Sequence, residues 1–206
     1  MKLRLAVLTA ALFSLCLPGT AEAHLVNTSL GDFYAGVLHP LTGFEFVLPW
    51  LALAILAAFQ GPGNGRWLFL VFPVGLMVGA ELSTVNSGLA FVSIVNVVAM
   101  ACVGLCVALG AALPLWAFLG LSSVIAIANG YLNGQAMEID TNHVLFVAGI
   151  TAVGYAFIAL TSAVMVTFLS GTGGWRPVAL RAGGSWIAAV GIMVLGFQLL
   201  HVAPAG

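Results

Sequence analysis

Residues 143–169 read HVLFVAGITAVGYAFIALTSAVMVTFL, a run of twenty-seven residues with no Asp, Glu, Lys or Arg. As an α-helix it is about 40 Å long at 1.5 Å per residue, more than the ~30 Å hydrocarbon core of a bilayer. Similar runs, punctuated by Gly, Pro and polar residues, occupy about 43–60, 67–83, 87–109, 112–131 and 185–203. The chain therefore reads as all-α, a polytopic membrane protein with a six-helix transmembrane bundle. Composition agrees, because only 5% of the 206 residues are charged whereas 62% are apolar or aromatic. A water-soluble domain carries roughly a quarter charged residues. With a net charge of −1 there is no basic stripe for nucleic acid. The only lysine is Lys2, so no phosphate-binding Gly-Lys loop, and no ATP motor, can be written.

The first 23 residues have the three parts of a secretory signal peptide: basic Lys2 and Arg4, apolar Leu5 to Leu17, and a small-x-small site at Ala21-Glu22-Ala23. The apolar part is too short to span, so cleavage is expected and residues 24–206 form the mature transmembrane domain, starting at His24. Cys16 leaves with the signal, while Cys102 and Cys106, four apart on one helix, are poorly placed for a disulfide and read as packing residues. Three arginines and five acids remain, a mature formal charge of −2. Export puts the mature N-terminus outside, and six spans return the C-terminus to that side. Arg66, Arg176 and Arg181 then fall on the inside, as the positive-inside rule requires, with Trp67, Trp175 and Trp186 at the same boundary. The same topology, that of a bacterial inner-membrane protein, gathers His24, Asp32, His39, Glu45, Glu81, Glu138, Asp140, His143 and His201 at the outer face. Carboxylate and imidazole together attract and coordinate divalent cations.

Polar groups inside the spans are costly and mark function or helix association. Pro49 lacks the N–H that would bond the Glu45 carbonyl, so carbonyl and carboxylate of Glu45 are offered together near a kink. Pro73 likewise frees the Phe69 carbonyl. Met77 and Glu81 share a face of the second span, and Gly75-x-x-x-Gly79 on a neighbouring face signals close helix packing. In the third span Ser93, Asn96, Met100 and Gly104 fall within about 80° of one another and are expected to line a path. Ser122, Asn129 and Asn133 form a stripe on the fourth. Its amides read equally as glue between helices or as the wall of a cavity. Thr151 with Tyr155, and Gln198 with His201, are weaker pairs. A hydrolase using Ser122 and His201 is disfavoured by depth, with the serine near mid-membrane and the histidine near the outer surface. The chain thus reads as no enzyme.

The segment His39-Pro40-Leu41-Thr42-Gly43-Phe44-Glu45, preceded by a signal, Ala23-His24 and Phe33-Tyr34-Ala35-Gly36, resembles the HupE/UreJ family of hydrogenase and urease accessory permeases. The resemblance implies a six-span importer of nickel or cobalt, with a His-Pro, Gly, Asp-His motif in the first span and a His-Gly repeat followed by an acid in the fourth. His39, Gly43 and Glu45 match the first motif, but Phe46 stands at the second histidine. Asn129-Gly130 and Asn133-Gly134, followed by Glu138, carry asparagine where the repeat carries histidine. The expected metal-handling residues are His24, His39, Glu45, Glu81, Asn129, Asn133 and Glu138. Exchanging imidazole for amide or phenyl moves preference toward harder ions. The expected function is secondary uptake of a divalent ion such as nickel or cobalt. A divalent ion moving inward gains about 4.6 kcal/mol per 100 mV, and no cofactor is permanently bound. The ion, the lipid bilayer and maturation proteins of hydrogenase or urease are the expected partners. The alternative is a membrane-held metal-binding or assembly protein without transport.

Overall fold

The computed structural model describes residues 31–202, with side chains to residue 200. The signal peptide expected at 1–23, His24 and the His201 side chain lie outside the described residues. Seven helices and no strand occur among them: α1 Gly31–Thr42, α2 Phe44–Gly65, α3 Leu68–Val85, α4 Phe91–Leu109, α5 Leu115–Gly134, α6 His143–Leu169 and α7 Trp175–Val202. The last six are long and apolar enough to cross a bilayer. They run alternately up and down. One end, which we call acidic, carries Glu45, Glu81 and His143; the other carries Arg66, Arg176 and Arg181.

α2 is the centre of the bundle, touching α4, α5, α6 and α7. Trp50 and Ala52 through Ala57 are all buried, as expected of a helix apolar on every side. It breaks at Gly61 (φ 74°, ψ 172°), because the following Pro62 disfavours a helical residue before it and glycine tolerates positive φ. Just before the break, Gln60 donates to the Ala111 carbonyl (2.8 Å) and accepts from Leu113 N–H (3.0 Å), tying α2 to the α4–α5 connection.

The closest packing is between α3 and α5 and between α4 and α7. Gly75 and Gly79 of α3 interlock with Gly130 and Gly134 of α5. A methyl built at Gly79 lands on the Ile127 carbonyl, and one at Gly130 on the Leu76 carbonyl. The glycine spacing in the second span thus meets a matching pair on its neighbour. α4 meets α7 through Gly104 against Ala188 and Gly184 against Val107 and Ala108. Where lipid is as apolar as leucine, such close backbone approach supplies the dispersion contacts that hold helices together.

Three expectations change. The segment before the first span contains a further helix, α1, about 18 Å long. It crosses the start of α6 where Gly36 meets the Phe146 carbonyl and Gly149 meets the Phe33 carbonyl, so packing rather than an apolar run defines it. The sixth span begins at Trp175 instead of 185, because Gly183 and Gly184 lie inside a helix and Gly184 serves packing. Arg176 and Arg181 therefore sit on its first turns, donating to the Phe168 (2.8 Å) and Ala108 (2.8 Å) carbonyls. The negative end of a helix dipole favours such cations. Finally, the stripe expected to line a path is filled. Asn96, Met100 and Gly104 are buried, Gly104 under α7, and Ser93 accepts from Gln198 (2.9 Å).

Replacing Gly79 with Ala should lower stability by about 1–3 kcal/mol through overpacking. Gly120→Ala, where a methyl meets nothing within 4 Å, should leave it unchanged. Thermal unfolding in detergent compares the two, and an equal effect would contradict the close α3–α5 packing.

Candidate functional site

About 8 Å in from the acidic end, α2, α4 and α5 are joined by a directional chain of hydrogen bonds. The indole N–H of Trp50 can only donate, so the Asn129 group facing it at 3.0 Å is the carbonyl oxygen Oδ1. The Asn129 amide nitrogen then donates twice, to the Asn96 Oδ1 (2.7 Å) and back to the Ile125 carbonyl (3.0 Å). That leaves the Asn96 nitrogen as a donor, and it bonds the Glu45 carbonyl at 3.1 Å. This is the carbonyl that Pro49 frees. Asn96, Asn129 and Trp50 are all essentially buried (0–1% exposed). The chain starts and ends on α2 and is satisfied at each of these links.

One turn further along α5, Asn133 donates to the Asn129 carbonyl (2.8 Å). Its Oδ1 has no hydrogen-bond donor among the described residues, although the residue is 0% exposed. An amide that must use its nitrogen on a carbonyl has a fixed orientation, so this oxygen is a buried acceptor facing away from the chain. Tyr131 fixes the nearby turn, its hydroxyl donating to the Asn86 carbonyl (2.6 Å) and accepting from Leu89 N–H (2.9 Å).

The ionisable groups of this end divide into separate places. His39, on the last turn of α1, lies beside the rings of Phe46 (6.1 Å) and Phe146 (6.3 Å). Burial pushes its pKa down, and the nearby Glu45 carboxylate offsets part of that shift. Glu81, at the end of α3, faces His143 of α6 at 3.6 Å. Met77, Glu81, Thr151 and Tyr155 line an α3–α6 groove of about 540 Å³. Asp32 accepts from the Asn142 N–H (2.9 Å) and supports the N-terminus of α6. Glu138 and Asp140 are exposed in the α5–α6 connection. No group of three or more His, Cys, Asp or Glu converges among the described residues.

A family model described as HupE / UreJ protein matches residues 11–194. The chain belongs to the HupE/UreJ family. No curated protein and no solved structure matches it. In this HupE/UreJ protein the structure brings together His39 and Glu45, while Glu81 pairs with His143 and Glu138 stands apart. Asn129, at a motif position, spends its oxygen and both amide hydrogens on bonds to Trp50, Asn96 and Ile125. Asn133 is only half committed. Phe46 uses the space of the expected imidazole to pack its ring beside His39, over Gly43, where a methyl would strike that ring. Ser122 returns its hydroxyl to the Phe118 carbonyl (2.7 Å), as a structural serine does.

Sequence reasoning missed Trp50 as a site residue. The available signal was an indole N–H in mid-span, since such a donor inside a membrane must find an acceptor.

Asn129→Leu should cost about 1–3 kcal/mol for each polar group it strands, the Trp50 N–H and the Asn96 oxygen. Asn96→Leu should cost similarly by stranding the Glu45 carbonyl. Because the two residues share a bond, the double variant should fall short of the sum by about 0.5–3 kcal/mol. Reversible unfolding of the four proteins measures this, and additive losses would contradict the chain.

Proposed function

We propose that this multi-pass membrane protein of the HupE/UreJ family carries a divalent transition-metal ion, nickel or cobalt, inward across a bacterial inner membrane. The acidic end faces out and the arginine end faces the cytoplasm, an orientation supported by the positive-inside rule, with both mature termini outside. The ion is substrate, with no resident cofactor, and is destined for maturation proteins of enzymes such as hydrogenase or urease. The protein is an accessory carrier, not an enzyme.

The observation that carries this reading is the Asn133 oxygen, a fully buried acceptor with no donor among the described residues. In a medium without water such an oxygen is costly unless a proton donor or a cation meets it. His39, on the last turn of α1, and Glu45, at the head of α2, supply the first ligands, and the lowered pKa of His39 keeps its imidazole neutral, hence ligating, further into the acid range. Amide oxygen and carboxylate are harder ligands than imidazole, so affinity for the ion is lower than a three-histidine site would give. Weak binding suits passage. The membrane potential supplies the driving force.

A second reading, a metal-binding or assembly subunit without transport, is favoured by the closed amide chain. Trp50, Asn96 and Asn129 plug the bundle beneath the acidic end, and an ion can pass between those three helices only if the links open.

Sealed vesicles containing the protein and offered nickel, cobalt, zinc, manganese and copper distinguish the readings by elemental mass spectrometry. Selective internal accumulation is expected. Glu45→Gln and Asn133→Leu should each reduce it to the level of empty vesicles while the protein remains folded and inserted. Metal retained on the outer face without internal accumulation would establish the second reading instead.

A further inference from the structure

At the arginine end, the break in α2 opens a cavity of about 390 Å³ against the last three turns of α6. Its walls are small, chiefly Ala57, Gly61, Ala159 and Ala163, with Arg66 at the rim and Ser162 in the wall. Ser162 departs from the pattern of its neighbours. Ser122, Thr151 and Thr167 each return the hydroxyl to the carbonyl four residues back. The Ser162 hydroxyl, on a residue only 4% exposed, has no partner among the described residues. A buried hydroxyl lining an apolar groove is a donor available to a molecule that fills the groove.

Charge identifies that molecule. Arg66 stands over the Trp67 ring at 5.7 Å, at the level where indoles sit at a membrane surface. Every described acid lies at the opposite end of the bundle, so nothing nearby neutralises this guanidinium. An exposed cation above a narrow apolar slot, with one hydroxyl inside it, matches a phosphodiester attached to an acyl ester.

We propose that the α2–α6 groove is a binding site for one anionic phospholipid. Arg66 holds the phosphate, the Ser162 hydroxyl donates to an acyl-ester oxygen, and one hydrocarbon chain lies along Ala57, Gly61, Ala159 and Ala163. The lipid fills the space made where Gly61 turns the backbone away, and so braces the broken end of the central helix. This site is independent of the metal reading and survives its failure.

The test uses the full chain purified in a neutral detergent. It is given phosphatidylglycerol, phosphatidylcholine with the same acyl chains, or inorganic phosphate with phosphatidylcholine. Native mass spectrometry reads the retained lipid, and thermal unfolding reads its effect. Phosphatidylglycerol should be retained as a single adduct and raise the unfolding midpoint, whereas the other two additions should do neither. Arg66→Gln should remove the preference for phosphatidylglycerol, and Ser162→Ala should weaken its retention several-fold. Arg181→Gln, at the same end but bonded to the Ala108 carbonyl, should keep both. Equal retention of the two lipids overturns the proposal. So does a matching shift with inorganic phosphate, which would make the site one for a free anion, or equal losses in Arg181→Gln and Arg66→Gln. Should Arg66→Gln fail to fold, Ser162→Ala decides, and unaltered retention in that variant also overturns the proposal.

Discussion

The hydrogen-bond chain from the Trp50 indole through Asn129 and Asn96 to the Glu45 carbonyl constrains the rest of the bundle. Inside a bilayer an unsatisfied N–H or C=O has no water to turn to, so each link must be made within the protein. Pro49 creates the demand by freeing a carbonyl in the central helix. Asn96 meets it, and in doing so sets the depth and rotation of α4 relative to α2. Asn129 sets α5 in the same way. Because the donors and acceptors leave only one consistent orientation for both amides, the three helices have one register rather than several.

Close packing then places the outer helices around that centre. The glycine pairs of α3 and α5 let two backbones touch, and the small residues of α4 and α7 do the same on the other side. Neither contact carries charge. Charge is confined to the ends, with carboxylates and imidazoles at one and guanidiniums at the other, so the bundle is polarised along its axis. The uncharged middle bears on the function. On the proposed function, a cation enters at His39 and Glu45, reaches the buried Asn133 oxygen, which has no donor among the described residues, and meets beneath it a set of amides already in use. Transport of the kind proposed then depends on whether those amides stay together.

Much of this was legible in the sequence. The α6 run is recoverable at both ends because it begins after a capping asparagine, Asn142, and is free of charges throughout. Gly75 and Gly79 announced a close contact by their spacing, and the acids and arginines announced the two ends. What the sequence did not disclose depends on partners distant in the chain. α1 is held by its crossing with α6, more than a hundred residues away, and has too few apolar residues in a row to stand out. Gly183 and Gly184 look like loop punctuation until α4 is set beside them. Pro49 pointed correctly to a free Glu45 carbonyl, but that the group is taken by an asparagine fifty-one residues on, rather than offered to an ion, is a tertiary fact.

The most direct test of the central claim is hydrogen exchange at the Trp50 indole N–H, followed by NMR in the metal-free protein and in Asn129→Leu. If the amide chain is closed and holds the three helices, this proton exchanges slowly in the unaltered protein and much faster in the variant. Exchange at the same rate in the two would mean that Asn129 does not hold the indole, and would contradict the account.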